Sequence, residues 1–488
     1  MEISFEDTIC AIATPQGEGG IGIIRVSGDR AVELVSRMVK TRSSRSLQDF
    51  QSQKLYLSDV WGEGLPGLGG SSHPSSRLID QALVVVMRKP KSYTGEDVVE
   101  IHAHGGPYVL HLTCQELVRL GARLANPGEF TQRAFLNGRL DLTQAEAVLD
   151  TIQAANAGSL RAAQELLRGS LSREVDRLRN KLIRVLAHIE AGIDFVEEDI
   201  SFIGKEEVAS ACQETMEDLN QLIDTFEEGR IVREGMRTVI IGCPNVGKSS
   251  LLNALLRTDR AIVSSMPGTT RDVIDEVTNM KGLLLRLVDT AGLRQTVDIV
   301  ESEGIRRTQQ AMDEADLLLV VIDRSEPLTE EDCALLTTHR EHRLVVVLNK
   351  SDLAPRVELA QVQEVMRLGS LRTDKSSGQF DPISQIVEIS TKTGIGMAEL
   401  SGAIRKSCLG RNMEAGQSAV VTRVRHKDAL CQARDSVSKA LDAVNLQMPG
   451  ECVALDVRGA LDALGEITGI VSTEDVLDRV FKDFCIGK

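Results

Sequence analysis

Residues 237–256 read RTVIIGCPNVGKSSLLNALL. A β-branched run from Thr238 to Ile241 meets a glycine-bounded loop, and an apolar pattern of helical spacing follows. The loop, Gly242 to Ser249, fits G-x-x-x-x-G-K-[ST]. In that pattern the glycines let backbone N–H groups wrap phosphate oxygens. The lysine reaches the outer phosphates, and the hydroxyl after it can hold Mg2+. The strand before and the helix after distinguish such a loop from a chance glycine-lysine string.

Outward from this loop, four more aliphatic runs recur: LLLRLV (283–288), LLLVVI (317–322), LVVVL (344–348) and IVEI (386–389). Helical patterns separate most of them, which predicts a mostly parallel sheet with crossover helices and ligand groups at the strand carboxyl ends. Three polar motifs stand at those ends: Asp289-Thr290-Ala291-Gly292, Asn349-Lys350-Ser351-Asp352 and Ser390-Thr391-Lys392. Asp289 is the expected outer-sphere Mg2+ group, and Gly292 is placed to sense a γ-phosphate. The Asp352 carboxylate can accept from both N–H donors of a guanine edge, a pair that adenine lacks, so GTP is the expected nucleotide. The set resembles the translation-factor-like GTPases. MPGTTRD (266–272) falls where the first switch belongs, with Thr270 as the second Mg2+ hydroxyl beside Ser249. Leu293 stands where Ras-like enzymes carry the glutamine that orients water, and leucine cannot polarise water. The catalytic group must therefore come from elsewhere. Asn245, inside the loop, is either a turn-forming residue or an oxygen ligand for a monovalent cation that replaces an arginine finger.

The rest of the chain has other rhythms. Residues 1–138 alternate β-rich runs with turns, and the Gly/Ser/Pro-rich stretch 62–78 reads as a loop inserted in a sheet. The segment 109–125, VLHLTCQELVRLGARLA, has helical spacing, so an α+β domain is expected. From Asp141 to about Arg230, Leu142, Ala145, Val148, Leu149 and Ile152 recur at three- and four-residue steps. So do Val175, Leu178, Leu182, Val185, Leu186 and Ile189. Residues 420–448 and 453–484 look the same, which predicts one helical domain in two pieces around an insertion. The expected boundaries are 1–138, 139–230, 231–406 and 407–488.

Composition sets outer limits. The 488 residues suit about three domains. Hydrophobic content is 42%, charged 26% and aromatic only 3%, so the cores must be largely aliphatic. Net charge is −15, and residues 141–230 alone hold 9 basic and 19 acidic side chains, which excludes a uniformly basic nucleic-acid coat. No apolar run is long enough to span a bilayer. The start, MEISFEDTIC, lacks the basic and apolar regions of a secretory signal, so a cytoplasmic location is expected. The nine cysteines are scattered singly with no CxxC, which argues against a disulfide framework or a zinc site of ordinary spacing.

Taken in order, GGIGIIRVSG (19–28), YTGEDVVEIHAHGG (93–106), PGEFTQRAFLNGRLDLTQAEAVLD (127–150), the inserted domain with GTTRD and the terminal CIGK resemble the MnmE (TrmE) family over essentially the full length. The resemblance implies a multidomain α+β and α/β protein: an N-terminal tetrahydrofolate-binding dimerisation domain, a discontinuous helical bundle and an inserted Ras-like P-loop GTPase. It implies a K+-dependent GTPase acting on tRNA. With the flavoprotein MnmG, which brings FAD and uses NADH, it would install an aminomethyl or carboxymethylaminomethyl group at carbon 5 of the wobble uridine. A 5-formyl- or methylene-tetrahydrofolate would supply the one-carbon unit. It implies a homodimer whose GTPase domains meet only in the GTP and K+ state.

By position, the resemblance assigns nucleotide contacts to Asn245, Val246, Gly247, Lys248, Ser249, Ser250, Ser264, Thr269, Thr270, Asp289, Thr290, Ala291, Gly292, Asn349, Lys350, Asp352, Ser390, Thr391 and Lys392. Asn245, Ser264, Met266 and Thr269 match the K+ ligands, and Glu301 the carboxylate that orients the attacking water. Arg25, Glu100, Arg139 and Lys488 match the folate contacts, and Cys485 is implicated in the modification chemistry. Without the resemblance, Arg25 and Glu100 read as a surface pair on a sheet, Glu301 as a solvated helix-start carboxylate, and Cys485 as a small helix plug. Lysine beside the thiol favours thiolate. The alternation in IHAHGG places His102 and His104 on one side of a strand, a simpler reading than a metal site with His111. The rival reading of the whole is a GTP-switch assembly factor without modification chemistry, which needs neither the folate-like domain nor CIGK.

Overall fold

The structure is a computed structural model that describes residues 7–41, 46–63, 76–194, 205–258, 276–280, 282–289, 309–338, 342–370, 385–408 and 420–488. The chain divides into two compact units, residues 1–149 with 462–488, and residues 150–461.

The first unit is built on period-two alternation. It contains β1 (Ile9–Ile12), β2 (Gly19–Ser27), α1 (Ala31–Met38), β3 (Val39–Thr41), β4 (Leu55–Glu63), β5 (Ser76–Met87), β6 (Val98–Gly105), α2 (Pro107–Arg119), β7 (Arg123–Leu124) and α3 (Glu129–Leu136). The sheet order is β3-β4-β5-β6-β2-β1-β7, antiparallel except where β7 joins β1. Ile24 and Val26 on β2, and Val99, Ile101 and Ala103 on β6, turn to one face. There they meet Leu34, Val35 and Met38 of α1 and Leu110, Cys114 and Leu117 of α2 in one buried cluster. Each Val, Leu, Ile or Met among them contributes roughly 1.5–3 kcal/mol by leaving water. The other face stays partly open: Arg25, Glu100 and His102 lie there, and Leu55, Leu57 and Leu83 are 40% or more exposed. The inserted loop is shorter than expected, because the two strands extend to Glu63 and from Ser76; residues 64–75 lie outside the described residues.

The helical spacing from Leu142 gives α4 (Leu142–Gln153), followed by α5 (Ala157–Leu167), α6 (Ser170–Asp194), α7 (Lys205–Asp224) and α8 (Phe226–Glu234). Leu142, Ala145 and Leu149 are buried as their spacing predicts, but Ile152, in the last turn, is 43% exposed. After α8 come β8 (Met236–Ile241), α9 (Lys248–Thr258), β9 (Glu276–Met280), β10 (Leu283–Asp289), β11 (Leu317–Asp323), α10 (Glu330–Thr338), β12 (Arg343–Asn349), α11 (Leu359–Ser370), β13 (Ile386–Glu388) and α12 (Met397–Cys408). The chain ends in α13 (Val424–Asn445), α14 (Gly450–Thr468) and α15 (Glu474–Phe481).

In the second unit α13 packs along α7, and an added Cβ at Gly450 of α14 would meet Ile193 of α6 at 3.0 Å. Helices before and after the insertion thus share one bundle. Its second sheet runs β13-β12-β11-β8-β10-β9, parallel except for β9. Continuous aliphatic strands are buried on both faces by two separate clusters, as a parallel sheet requires. Where the chain passes between bundle and insertion, Asp150 Oδ1 accepts from Arg233 Nε at 2.9 Å and from Arg423 Nη2 at 2.7 Å. Beside it, Val421 N donates to Thr225 Oγ1 at 3.0 Å.

In the first unit, α15 continues into the terminal tail. Phe481 and Phe484 pack on Leu142, Ala145 and Leu149. The tail then lies on β1: a Cβ at Gly487, where φ is +96°, would meet Ile12 O at 2.4 Å. Only glycine fits there, for both the backbone and the space.

Candidate functional site

The phosphate-loop motif closes β8 and opens α9, so the first N–H groups of the helix lie at the loop. Gly242 and Gly247 have φ of +152° and +102°, and Asn245 also lies in the left-handed region at +64°. A Cβ at Gly247 would meet Asn349 Nδ2 at 2.2 Å. The Lys248 ammonium donates to Gly242 O at 2.9 Å and Cys243 O at 2.7 Å, which folds the loop around its own cation. Asn245, Ser249 and Ser250 are exposed along the rim, whereas the Val246 side chain is buried, so Val246 has only its backbone to offer. Loop, helix start and ammonium together fit a polyphosphate with its hydroxyl-bound Mg2+.

Asn349 stands at the end of β12 and is buried. Its Nδ2 donates to Val246 O at 2.8 Å, and its Oδ1 accepts from Thr391 N at 3.2 Å. It therefore staples the phosphate loop to the Ser390–Lys392 segment and spends its amide on the protein. That leaves Asp352 exposed and facing solvent, with Ser390 Oγ donating to its Oδ1 at 2.7 Å. The Ser390 hydroxyl, and then Lys392 and Lys350, hold the Asp352 carboxyl below its ordinary value. Lys350, itself at φ +64°, donates to Asp323 Oδ2 at 2.5 Å. Burial pushes Asp323 up, but the Lys350 and Ser325 hydrogen bonds prevail and hold it low.

Two members of this site escaped sequence reading. Asp323 fixes Lys350, and its only sequence signal is an acid ending an aliphatic strand, LLLVVID. Cys243, in the loop, donates to Asp332 Oδ1 at 3.2 Å and Glu331 Oε2 at 3.3 Å. Burial and the Asp332 carboxylate push that thiol up to about 11.

Asn245, Lys248, Ser249, Asn349, Lys350, Asp352, Ser390 and Thr391 are thus gathered beyond the carboxyl ends of β8, β12 and β13, and Lys392 is exposed beside them. Ser264, Met266, Thr269, Thr270, Thr290, Ala291, Gly292 and Glu301 lie outside the described residues. Asp289 is the last residue of β10.

A second cluster lies on the open face of the first unit. Glu100 Oε1 accepts from Arg25 Nε and Nη2, each at 2.9 Å, and Oε2 meets His102 Nε2 at 3.1 Å. The Arg25 guanidinium rests over Tyr93 at 5.2 Å and Phe130 at 5.7 Å, and its Nη1 donates to Gly487 O at 3.3 Å. Burial and Arg25 push the Lys488 ammonium below its ordinary value, against the pull of Glu100 and Cys485. For Glu100, burial works upward, but Arg25 and His102 prevail and hold the carboxyl low. Arg139 donates from Nε to Ser92 O at 3.1 Å, one residue from Tyr93. Arg25, Glu100 and Lys488 are therefore brought together, whereas Arg139 bonds to Ser92, next to Tyr93 in the chain, and not to these three. Cys485 is exposed rather than a helix plug, the plug being Phe481 and Phe484. His104 turns to Asp80, with Nδ1 to Oδ1 at 2.8 Å, and no group of His, Cys, Asp and Glu among the described residues could hold a metal. A carboxylate between an imidazole and a guanidinium that itself rests over two aromatic rings fits a heteroaromatic ligand that carries both N–H donors and an anionic tail.

Residues 142–485 match the family described as MnmE helical domain, and residues 8–139 the family described as GTP-binding protein TrmE N-terminus. The tRNA modification GTPase MnmE of Alkaliphilus oremlandii is 42% identical over 484 residues, covering 99% of this chain and 100% of that protein. The protein of the same name from Heliobacterium modesticaldum is 44% identical over 488 residues, covering 99% of each. The one from Clostridioides difficile is 42% identical over 484 residues, covering 99% and 100%.

Proposed function

This chain belongs to the MnmE family of tRNA modification GTPases, and from that premise we propose how its two sites divide the work. The GTPase site holds GTP through the loop around Lys248 and reads guanine through Asp352. Ser249 and Thr270 hold Mg2+, while Asn245 and oxygens of Ser264, Met266 and Thr269 hold K+. The K+ supplies the positive charge that an arginine finger brings elsewhere. Glu301 orients the attacking water in place of the glutamine that Leu293 replaces. The observation that carries this reading is the joining of the phosphate loop to the guanine-side strand ends through Asn349. Turnover at saturating GTP is expected to fall at least about tenfold when Na+ replaces K+, the scale of losing one charge stabiliser of the transition state. Equal rates in the two salts would remove K+ from the mechanism.

The Arg25–Glu100–Lys488 cluster binds a tetrahydrofolate carrying a one-carbon unit, with Arg139 toward the glutamate tail. Cys485 serves the modification from the exposed tail beside it. A flavoprotein partner of the MnmG type supplies FAD and NADH, and the product is a (carboxymethyl)aminomethyl group at carbon 5 of the wobble uridine. The chain acts as a homodimer through the first unit, where Leu55, Leu57 and Leu83 leave apolar sheet surface uncovered. Leu57→Glu is expected to convert the dimer to a monomer in light scattering, and an unchanged mass would contradict that interface. Nucleoside analysis of total tRNA tests the whole reading: loss of this gene should remove the wobble modification, and its persistence would leave only a GTP switch. Among the described residues no helix is long and apolar enough to cross a membrane.

A further inference from the structure

We propose that His102 is the proton donor of the one-carbon step, an assignment that rests on the folate reading of the Arg25–Glu100–Lys488 cluster. Residues 100 and 102 share one face of β6, so the strand itself sets imidazole beside carboxylate. The two oxygens of Glu100 are divided between neighbours: Oε1 takes Arg25 on β2, and Oε2 takes His102 Nε2. That division fixes the ring. Nε2 is committed as a donor to the carboxylate, and Nδ1 has no protein partner among the described residues. An imidazole held by a carboxylate at one nitrogen and open at the other is oriented for proton transfer.

The surroundings suit the role. The side chain of His102 is 23% exposed, between Glu100 at 15% and Arg25 at 14%, so the ring is sheltered yet reachable. The charged groups facing this cluster are Arg25 from β2, Glu100 from β6 itself, and Lys488 with Cys485 from the terminal tail. His104 offers an internal comparison. Two residues along the same strand, it is 74% exposed and engaged by Asp80 at both its backbone N and Nδ1. Its ring is likewise held by a carboxylate at one nitrogen, but it lacks the sheltered position.

The step is the opening of a 5,10-methylene bridge. With its ring protonated at both nitrogens, His102 would donate the Nδ1 proton to N10 as the carbon–N10 bond breaks and that bond's electron pair passes to N10. The N5 lone pair forms the N5=CH2 iminium. The imidazole is left neutral and recovers its proton from water. No electron is gained or lost, and the positive charge moves from the imidazolium to the iminium.

The test uses the full chain with its flavoprotein partner, tRNA, GTP and 5,10-methylenetetrahydrofolate. His102→Ala is expected to bind folate within about threefold of wild type by calorimetry. Its rate of tRNA modification should fall about 10²-fold, the lower range for a positioned acid. Imidazole added to the buffer should restore part of that rate, a response that a merely structural histidine would not give. GTP turnover by His102→Ala and tRNA modification by His104→Ala should both match wild type. Full-rate modification by His102→Ala, a loss of rate that only follows a loss of folate affinity, or a lost rate without imidazole rescue would each overturn the assignment. Failure of the wild-type chain to bind the folate would instead remove the reading of the site on which the assignment stands.

Discussion

Replacing Arg133 by methionine is expected to destabilise the first unit by about 3–5 kcal/mol, the cost of stranding buried charge when one partner of a buried ion pair is removed. Arg133 is 1% exposed. It donates to Asp7 O at 3.0 Å, Glu96 Oε1 at 3.2 Å and Glu129 Oε1 at 3.2 Å, and its Nη2 also meets the Asp7 carboxylate. Glu129 is as buried as Arg133 and takes a second guanidinium from Arg123 at 2.6 Å, with Asn126 N at 2.7 Å. Methionine fills much of the same volume, so the loss reports charge rather than a cavity. A fall in melting temperature of about 10 °C by calorimetry is expected for a unit of this size. A fall of less than about 2 °C would mean that the three carboxylates are solvated without Arg133.

The same network sets an acid limit. Burial raises Glu129, but the Arg123, Asn126 and Arg133 interactions prevail and lower it; Asp7 is lowered in the same way by Arg123 and Arg133. Folded-state values below the unfolded ones mean that this stabilisation is full above about pH 5. It is lost as pH falls through the lower folded values. Melting temperature followed from neutral to acid pH should therefore fall more steeply in wild type than in Arg133→Met, and parallel curves would count against the network as the cause.

Asp352→Asn is expected to weaken GTP about 10³-fold. Each of two hydrogen bonds to a charged acceptor is worth about tenfold or more in affinity, and the amide presents a donor to one of the guanine donors. Xanthosine triphosphate should gain, because its C2 carbonyl oxygen accepts where the C2 amino group of guanine donates. Ser390 and Lys392 remain in place, so the loop should keep its form, and circular dichroism should be unchanged. GTP affinity unaltered in a titration would place the guanine contact elsewhere.

Much of this is legible in the sequence because it is local. The phosphate loop declares itself through glycine spacing and the strand and helix that flank it, and aliphatic runs announce the parallel sheet. The alternation in VVEIHAHG places Glu100 and His102 on one face. What stays hidden is long-range. Nothing in Asn349 announces that its amide is consumed by Val246 and Thr391, 103 and 42 positions away. FTQRAFL reads as an ordinary amphipathic turn, yet its arginine is the buried centre of a charge network closed by Asp7. The tail's contact with Arg25 spans 462 positions, and periodicity carries no information at that distance.

Arg233 and Arg423 grip the same carboxylate oxygen of Asp150, although every strand of the second sheet lies between them in the chain. The segment between them therefore leaves the bundle and returns to it at neighbouring points, a geometry reinforced by the bond from Val421 to Thr225. Its two ends are already held together, so little loop-closure entropy separates the intact chain from one in which a short linker replaces the segment. In this sense the GTPase region is a branch of the bundle: the chain leaves and rejoins it beside one carboxylate, so the pairing of α7 with α13 does not run through the inserted strands.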